Sequence, residues 1–198
     1  IPSGSRVLDV GCGIGGSACW IAKNLGASVL GLTISPAQAE FAQIAVFFSG
    51  CAAEVHFEVM DADELELRDS RFDVIWVVEA SEHFRDKPRF FRRCYDLLNP
   101  GGVVALCAWL AGSHLSLPQK NLVEQVCRGM LCPSLGAFDD HIGWLEQAGF
   151  FQIEGEDCTR QVERTWDYVV ELLQTGPVQA LLQTTDDRIR QFVNACAD

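Results

Sequence analysis

Positive charge is what this 198-residue chain has least of: 15 Lys and Arg stand against 27 Asp and Glu, a formal net charge of −12. A protein that grips a nucleic acid duplex neutralises its phosphates with Lys and Arg, so nucleic acid is not the expected substrate. Long apolar runs are missing too. None approaches the roughly 18 to 20 residues of a membrane-spanning helix, and Ile1-Pro2-Ser3-Gly4 has neither the charged nor the apolar region of a signal peptide. The expectation is a cytoplasmic protein without an integral membrane segment. Cysteine is plentiful, at nine, but paired spacing is absent: Cys12, Cys19, Cys51, Cys94, Cys107, Cys127, Cys132, Cys158 and Cys196 are odd in number and scattered. Cys127 and Cys132 are too far apart for a C-x2-C knuckle and no His stands at finger spacing, so the thiols read as reduced and mostly buried, with no metal. No internal repeat or low-complexity tract occurs. What is present, 48% hydrophobic and 21% charged residues, suits one ordinary domain and excludes disorder of the whole chain.

Apolar periodicity predicts alternating strands and helices. Arg6 to Val10 reads as a strand, followed by a Gly-rich turn and a helix over Ser17 to Lys23. Ser28 to Thr33 is a second strand, and Pro36 to Phe48, with Pro in its first turn, a helix stopped by Ser49-Gly50. Val55 to Met60 is a third strand before an acidic stretch. Phe72 to Val78 is a continuous apolar run of the kind buried on both faces of a parallel sheet. Arg89 to Leu98 has helical spacing, Asn99-Pro100-Gly101-Gly102 breaks it, and Val103 to Trp109 is a fifth strand. Such alternation predicts an α/β, doubly wound, mainly parallel sheet with right-handed crossovers and ligands at the carboxyl ends of its strands. The remainder is less regular: helices over Leu117 to Met130, Asp140 to Ala148, Thr159 to Leu173 and Ile189 to Cys196, and a strand over Phe151 to Glu154.

Gly11-Cys12-Gly13-Ile14-Gly15-Gly16 lies between the first strand and the first helix. Backbone there can approach a ligand where side chains would collide, with helix N–H groups aimed into the site. The spacing also satisfies the G-x-G-x-x-G dinucleotide pattern. Two neighbours argue against a dinucleotide. Asp9, two residues before the first glycine, can pair with a positive charge but suits a pyrophosphate poorly. Thr33, ending the second strand, stands where a nicotinamide-binding protein places an acid for the ribose.

Val7-Leu8-Asp9-Val10-Gly11-Cys12-Gly13-Ile14-Gly15-Gly16 resembles motif I of class I S-adenosylmethionine-dependent methyltransferases. Gly31-Leu32-Thr33-Ile34-Ser35-Pro36-Ala37-Gln38 is similar to the branch holding tocopherol, sterol and sugar O-methyltransferases and the cyclopropane fatty acid synthases. Glu79-Ala80-Ser81-Glu82-His83, Asp86-Lys87-Pro88, Asn99-Pro100-Gly101-Gly102 and Ala108-Trp109 bring it nearest the tocopherol methyltransferase-like group. The resemblance implies the Rossmann-like class I methyltransferase fold in a single domain. Residues 1–110 would be its cofactor-binding half and 111–198 its acceptor-side half. It implies S-adenosylmethionine as cofactor, leaving S-adenosylhomocysteine, and methylation of a small lipophilic or aromatic acceptor at carbon, oxygen or nitrogen. The glycine loop, Cys12 included, would cradle the cofactor, with Thr33 and Gln38 at its ribose, Asp61 and Ala62 at its adenine, and Ile34 a further cofactor-binding residue. Asp63, Glu64 and Glu66 read as a solvated acidic loop.

The loop Glu79 to Arg85 follows the fourth strand and would lie beside the sulfonium. Glu79 is assigned to the cofactor's amino group. Methyl transfer needs alignment and exclusion of water, and a base only where the acceptor must lose a proton. Adjacent Glu82 and His83 are the catalytic candidates, the carboxylate raising the basicity of the imidazole; packing under the loop is the equal alternative. Cyclopropane synthases resemble the chain at this pair, but Cys107 replaces their histidine, and the acid of sugar O-methyltransferases near Ala108 is absent too. Lipid cyclopropanation, a nicotinamide-dependent oxidoreductase and a cofactor-binding module without an acceptor pocket stay as alternatives. Trp109 is divided evenly between acceptor pocket and core, while Trp144 and Trp166 are assigned to packing. His56 and His141 read as surface or packing residues. With five residues before the first strand and no convincing final strand, the expectation is a piece of a longer protein, its candidate losses an N-terminal cap and the last hairpin. Oligomeric state is left open.

Overall fold

The structure, a computed structural model, describes residues 1–67, 71–176 and 178–179. Five strands, β1 (Arg6–Val10), β2 (Ser28–Thr33), β3 (Val55–Val59), β4 (Phe72–Val78) and β5 (Leu98–Cys107), form one sheet. All are parallel, in the order β3-β2-β1-β4-β5. Helices α1 (Gly16–Leu25), α2 (Pro36–Ser49) and α3 (Lys87–Leu97) are the crossovers; α4 (Leu117–Gly129), α5 (Phe138–Ala148), α6 (Thr159–Val162) and α7 (Thr165–Leu173) follow. The order reverses between β1 and β4, where doubly wound sheets open a crevice at their carboxyl edge.

Local chemistry sets the helix ends. α2 starts where Ser35 Oγ accepts from Gln38 N at 3.3 Å, with Pro36 behind it, and stops at Gly50 in the left-handed region. α3 starts where Asp86 accepts from Arg89 N at 3.0 Å. Alternation along each strand divides the core between the two faces of the sheet. Val7, Val29, Val55, Phe57 and Val74 pack under α1 and α2. Leu8, Val10, Leu32, Ile75 and Val77 pack against Phe90, Phe91, Cys94 and Leu97 of α3 and Ala148 of α5. Burying a phenylalanine of this kind stabilises the fold by roughly 1.5–3 kcal/mol.

Three expectations differ from what is observed. β5 begins at Leu98, because Phe72 pairs with Leu98 and a register shift before Val74 absorbs Asn99 to Gly102. Asn99 Nδ2 donates to Asp73 Oδ1 and Arg6 N to Asp73 Oδ2, both at 2.8 Å, so one carboxylate ties β1, β4 and the start of β5. Phe151 to Glu154 forms no strand; Phe151 is exposed, and alternation without a neighbouring strand to pair with has nothing to satisfy its backbone. The helix expected over Thr159 to Leu173 is broken into α6 and α7. The helix expected over Ile189 to Cys196 lies outside the described residues. No helix among the described residues is long and apolar enough to cross a membrane.

Candidate functional site

The carboxyl ends of β1, β2, β3 and β4 bring the glycine loop, Thr33, Asp61 and Glu79 to one edge of the sheet. Gly11 N and Cys12 N both donate to Leu32 O at 2.9 Å, which holds the loop against the end of β2. Gly11 (φ 77), Gly13 (φ 54) and Gly15 (φ 82) all sit in the left-handed region. Their surroundings separate them. A methyl on Gly11 would overlap the Cβ of Ala80, and one on Gly15 would meet the Phe57 ring, whereas one on Gly13 would stand in open space. Gly11 therefore lets the turns after β1 and β4 touch, and Gly13 leaves room above the loop. Cys12 is buried in the α1/α2 core, where burial pushes its thiol up to about 12.

Asp9 points to the α1/α2 face and is 2% exposed, and its Oδ2 has no hydrogen-bond partner. Burial pushes its carboxyl up to about 7. An orphaned buried carboxylate beside a helix N-terminus and open backbone suits a ligand that brings its own cation. Trp76, paired in register with Asp9, likewise has a buried Nε1 without a partner. It lines a cleft of about 260 Å³ with Gly16, Ser17, Trp20 and Ile21. Sequence reasoning missed Trp76 because it sits inside a continuous apolar run.

Thr33 and Gln38, both assigned to the ribose, bond each other. The buried Thr33 Oγ1 donates to Gln38 Oε1 at 2.7 Å and accepts from Ser35 N at 3.2 Å, leaving the Gln38 amide N–H groups free to donate outward. Ile34 beside them is 69% exposed, a large apolar side chain at the rim. Asp61 Oδ1 accepts from Asp63 N at 2.9 Å, capping the 3-10 turn Ala62–Glu64 and leaving its other oxygen uncommitted. Asp63 departs from the solvated acidic loop: its Oδ1 accepts from Arg85 N at 3.0 Å and Asp86 N at 3.4 Å, clasping the turn after β3 to the loop after β4.

Glu79, at the end of β4, has φ 49, a conformation that costs a non-glycine residue about 1 kcal/mol or more. Its N–H donates to Cys107 O at 2.8 Å, and its side chain is exposed at the carboxyl edge. Glu82 and His83 part company. Glu82 is 2% exposed; its Oε1 accepts from Trp109 N at 2.5 Å, and its Oε2 has no partner. His83 is exposed and makes no hydrogen bond to Glu82. One turn of backbone in the 3-10 segment Ser81–His83 sends the two side chains to opposite sides. The loop is anchored from below by Lys87, 3% exposed, whose Nζ donates to Phe84 O at 2.9 Å, Ser134 O at 3.0 Å and Glu82 O at 3.4 Å. Burial holds its ammonium below the usual lysine range. Trp109, next to Glu82, packs on Trp166 with ring centroids 5.9 Å apart. Trp144 packs on Phe91 as core, and buried His141 bonds Ala137 O.

The model of a family described as a methyltransferase domain matches residues 8–106, half of the chain and all of the strand edge just described. The chain belongs to that methyltransferase family. It is 31% identical over 171 residues to the chloroplastic tocopherol O-methyltransferase of Arabidopsis thaliana, a match covering 83% of this chain and 49% of that protein. The chain spans about half the length of the curated relatives it matches. Among solved structures, a phosphoethanolamine N-methyltransferase 2 of Haemonchus contortus in complex with S-adenosyl-L-methionine superposes with a TM-score of 0.79. The identity is 26%, covering 99% of this chain and 44% of the other. The cyclopropane synthase MmaA2 of Mycobacterium tuberculosis shares the fold, with a TM-score of 0.84, 20% identity and coverage of 100% and 72%. The α/β class I methyltransferase fold is thus the one expected.

Proposed function

We propose that the chain is the S-adenosylmethionine-binding part of an enzyme that methylates a small lipophilic or aromatic molecule. The observation that carries this reading is Asp9 Oδ2, buried and without a partner below the open backbone at Gly13. When bound, the cofactor supplies a methyl group on a sulfonium, already a strong electrophile. A cationic group of the cofactor would favour ionised Asp9, and the loop backbone from Gly11, Cys12 and Gly13 to Gly15 and Gly16 would line the ligand, with open space at Gly13 and Gly16. Gln38, oriented by Thr33, would donate to ribose hydroxyls, Asp61 would accept from the adenine amine while Ala62 offers backbone, and exposed Ile34 would add apolar contact at the rim. Glu79 faces the amino group from the β4 side.

Residues 111–179 supply the acceptor side in this reading. The Trp109–Trp166 pair supports an aromatic or lipophilic acceptor, as does the likeness to a tocopherol methyltransferase. Glu82 and His83 act separately: His83 reaches solvent and is the proton acceptor where the substrate needs one, while Glu82 holds the loop to the end of β5. Cyclopropanation is less favoured because Cys107, at the end of β5, stands where the resemblance puts a histidine of cyclopropane synthases. Calorimetric titration with S-adenosylhomocysteine, and with NADH in parallel, tests the reading. Micromolar binding of the first alone is expected. Binding of NADH alone would overturn it in favour of a nicotinamide-dependent enzyme, and tight S-adenosylhomocysteine binding without turnover of phenolic or quinol acceptors would leave a binding module.

A further inference from the structure

Two thiols outside the site lie in a relation that packing alone does not ask for. Cys19, in the first turns of α1, and Cys51, just past the Gly50 cap of α2, are 32 residues apart in sequence, and their sulfurs stand 2.9 Å apart. That is inside ordinary contact of two thiols and about 0.9 Å from bonding distance. We propose that Cys19 and Cys51 are a modification site: an oxidisable dithiol that closes to a disulfide tying α1 to the segment after α2.

The two differ in the way a sequential closure needs. Cys19 is half-buried and reachable, and Cys51 is 3% exposed, held by contacts to Cys19 and to Val46 O. With a small disulfide such as oxidised glutathione, the Cys19 thiolate attacks one sulfur and expels one glutathione thiolate. Cys51, losing its proton, then attacks the Cys19 sulfur of the mixed disulfide and expels the second. Two protein thiols are oxidised, one glutathione disulfide is reduced to two thiols, and the two protons go to the leaving thiolates. Burial and the Cys19 contact push Cys51 up to about 11, with Lys23 opposing this and Glu54 adding to it. Cys107 and Cys158, which also feel each other, are both exposed, and Cys127 and Cys132, which touch through their side chains, are only five residues apart in sequence. The inference stands apart from methyl transfer, since neither residue is assigned to the cofactor.

The test treats the full chain with oxidised glutathione, blocks remaining thiols with N-ethylmaleimide and maps non-reduced peptides. A Cys19–Cys51 linked peptide is expected, together with a rise in Tm on the order of 5–10 °C that dithiothreitol reverses, because a loop of this length is closed in the unfolded chain. Cys19→Ser, at a half-buried position, should keep the fold by circular dichroism and lose both the linked peptide and the rise in Tm. Cys51→Ala, which keeps an apolar group in the buried position, should leave Cys19 carrying a single glutathione. Maleimide on both Cys19 and Cys51 after oxidation, glutathione retained on Cys19 of the unmodified chain, or linkage of Cys127 to Cys132 in their place would overturn the proposal.

Discussion

The sheet half of the molecule and the residues that follow it use the same apolar periodicity to different effect. Every buried member of the two core clusters except Ala148 comes from residues before Leu98. After β5, α4 buries only Cys127, and α6 and α7 bury nothing among the described residues. The reason is partners: β1, β2 and β4 are covered on both faces, so a side chain on either has somewhere to go. The apolar stripe of α7 meets little opposite it among the described residues beyond the Trp109 ring against Trp166, and so stays half in water. Periodicity therefore reports the element, and burial depends on what the topology places across from it.

The largest effect we expect tests that contrast directly. Phe91, fully buried between α3 and the sheet, should cost about 3–5 kcal/mol as Phe91→Ala, whereas Val170→Ala in α7 should cost less than about 1 kcal/mol. Chemical denaturation of the two variants measures both; equal losses would mean that α7 is packed as tightly as α3. A second pair of substitutions applies the same distinction within one loop. Gly11→Ala drives a methyl into Ala80 and adds left-handed strain, for a stability loss of about 3 kcal/mol. Gly13→Val meets open space, so its fold should lose only the strain of about 1–2 kcal/mol while S-adenosylhomocysteine affinity falls by roughly 100-fold or more. Calorimetry with a parallel melt separates them, and unchanged affinity in Gly13→Val would remove the loop from the site.

Asp9 gives a pH signature that the core of the α3 face lacks. Its folded carboxyl lies near 7, above the ordinary Asp value, so between about pH 4 and 7 the folded state binds the extra proton. The sign is that stability without ligand falls as pH rises through this window, by a few kcal/mol from this group. Asp9→Asn should flatten that slope, make the unliganded chain more stable than the parent at pH 8, and weaken S-adenosylhomocysteine at least tenfold. Urea midpoints at pH 5 and pH 8 check it. A parent slope that survives the substitution would assign the effect elsewhere.

These pairs also mark what was legible in the chain itself. The five strands, α1 to α3 and the place of the glycine loop follow from apolar runs punctuated by Gly and Pro, because each is a local signal. Thr33 and Gln38 are legible as candidates from a strand end and a helix start five residues apart, but their bond to each other is not. Trp76 was hidden, since whether its buried Nε1 finds a partner depends on the elements packed over it. Asp63 was hidden because its partners, Arg85 N and Asp86 N, are 22 and 23 residues away. The separation of Glu82 from His83 was hidden for a third reason: adjacent residues in an isolated 3-10 turn can face opposite ways, and only the Trp109 N–H decides which carboxylate direction wins. Contacts of long sequence separation and the choice of face in short turns are tertiary facts.

The smallest effect we expect asks whether Thr33 belongs to the site or to the scaffold behind it. Thr33 is buried, and its hydroxyl is used twice within the chain, by Gln38 Oε1 and Ser35 N, so it has no proton left to give a ligand. Gln38, by contrast, is exposed with both amide protons free. Thr33→Val should therefore weaken S-adenosylhomocysteine by about 1 kcal/mol through loss of Gln38 orientation, and Gln38→Ala by a similar amount directly. In the double variant the two losses should not add, because the Thr33 effect has no route to the ligand once Gln38 is gone. A double-mutant cycle measured by calorimetry gives that coupling. Fully additive losses would give Thr33 its own contact with the ligand and move the end of β2 from support into the site.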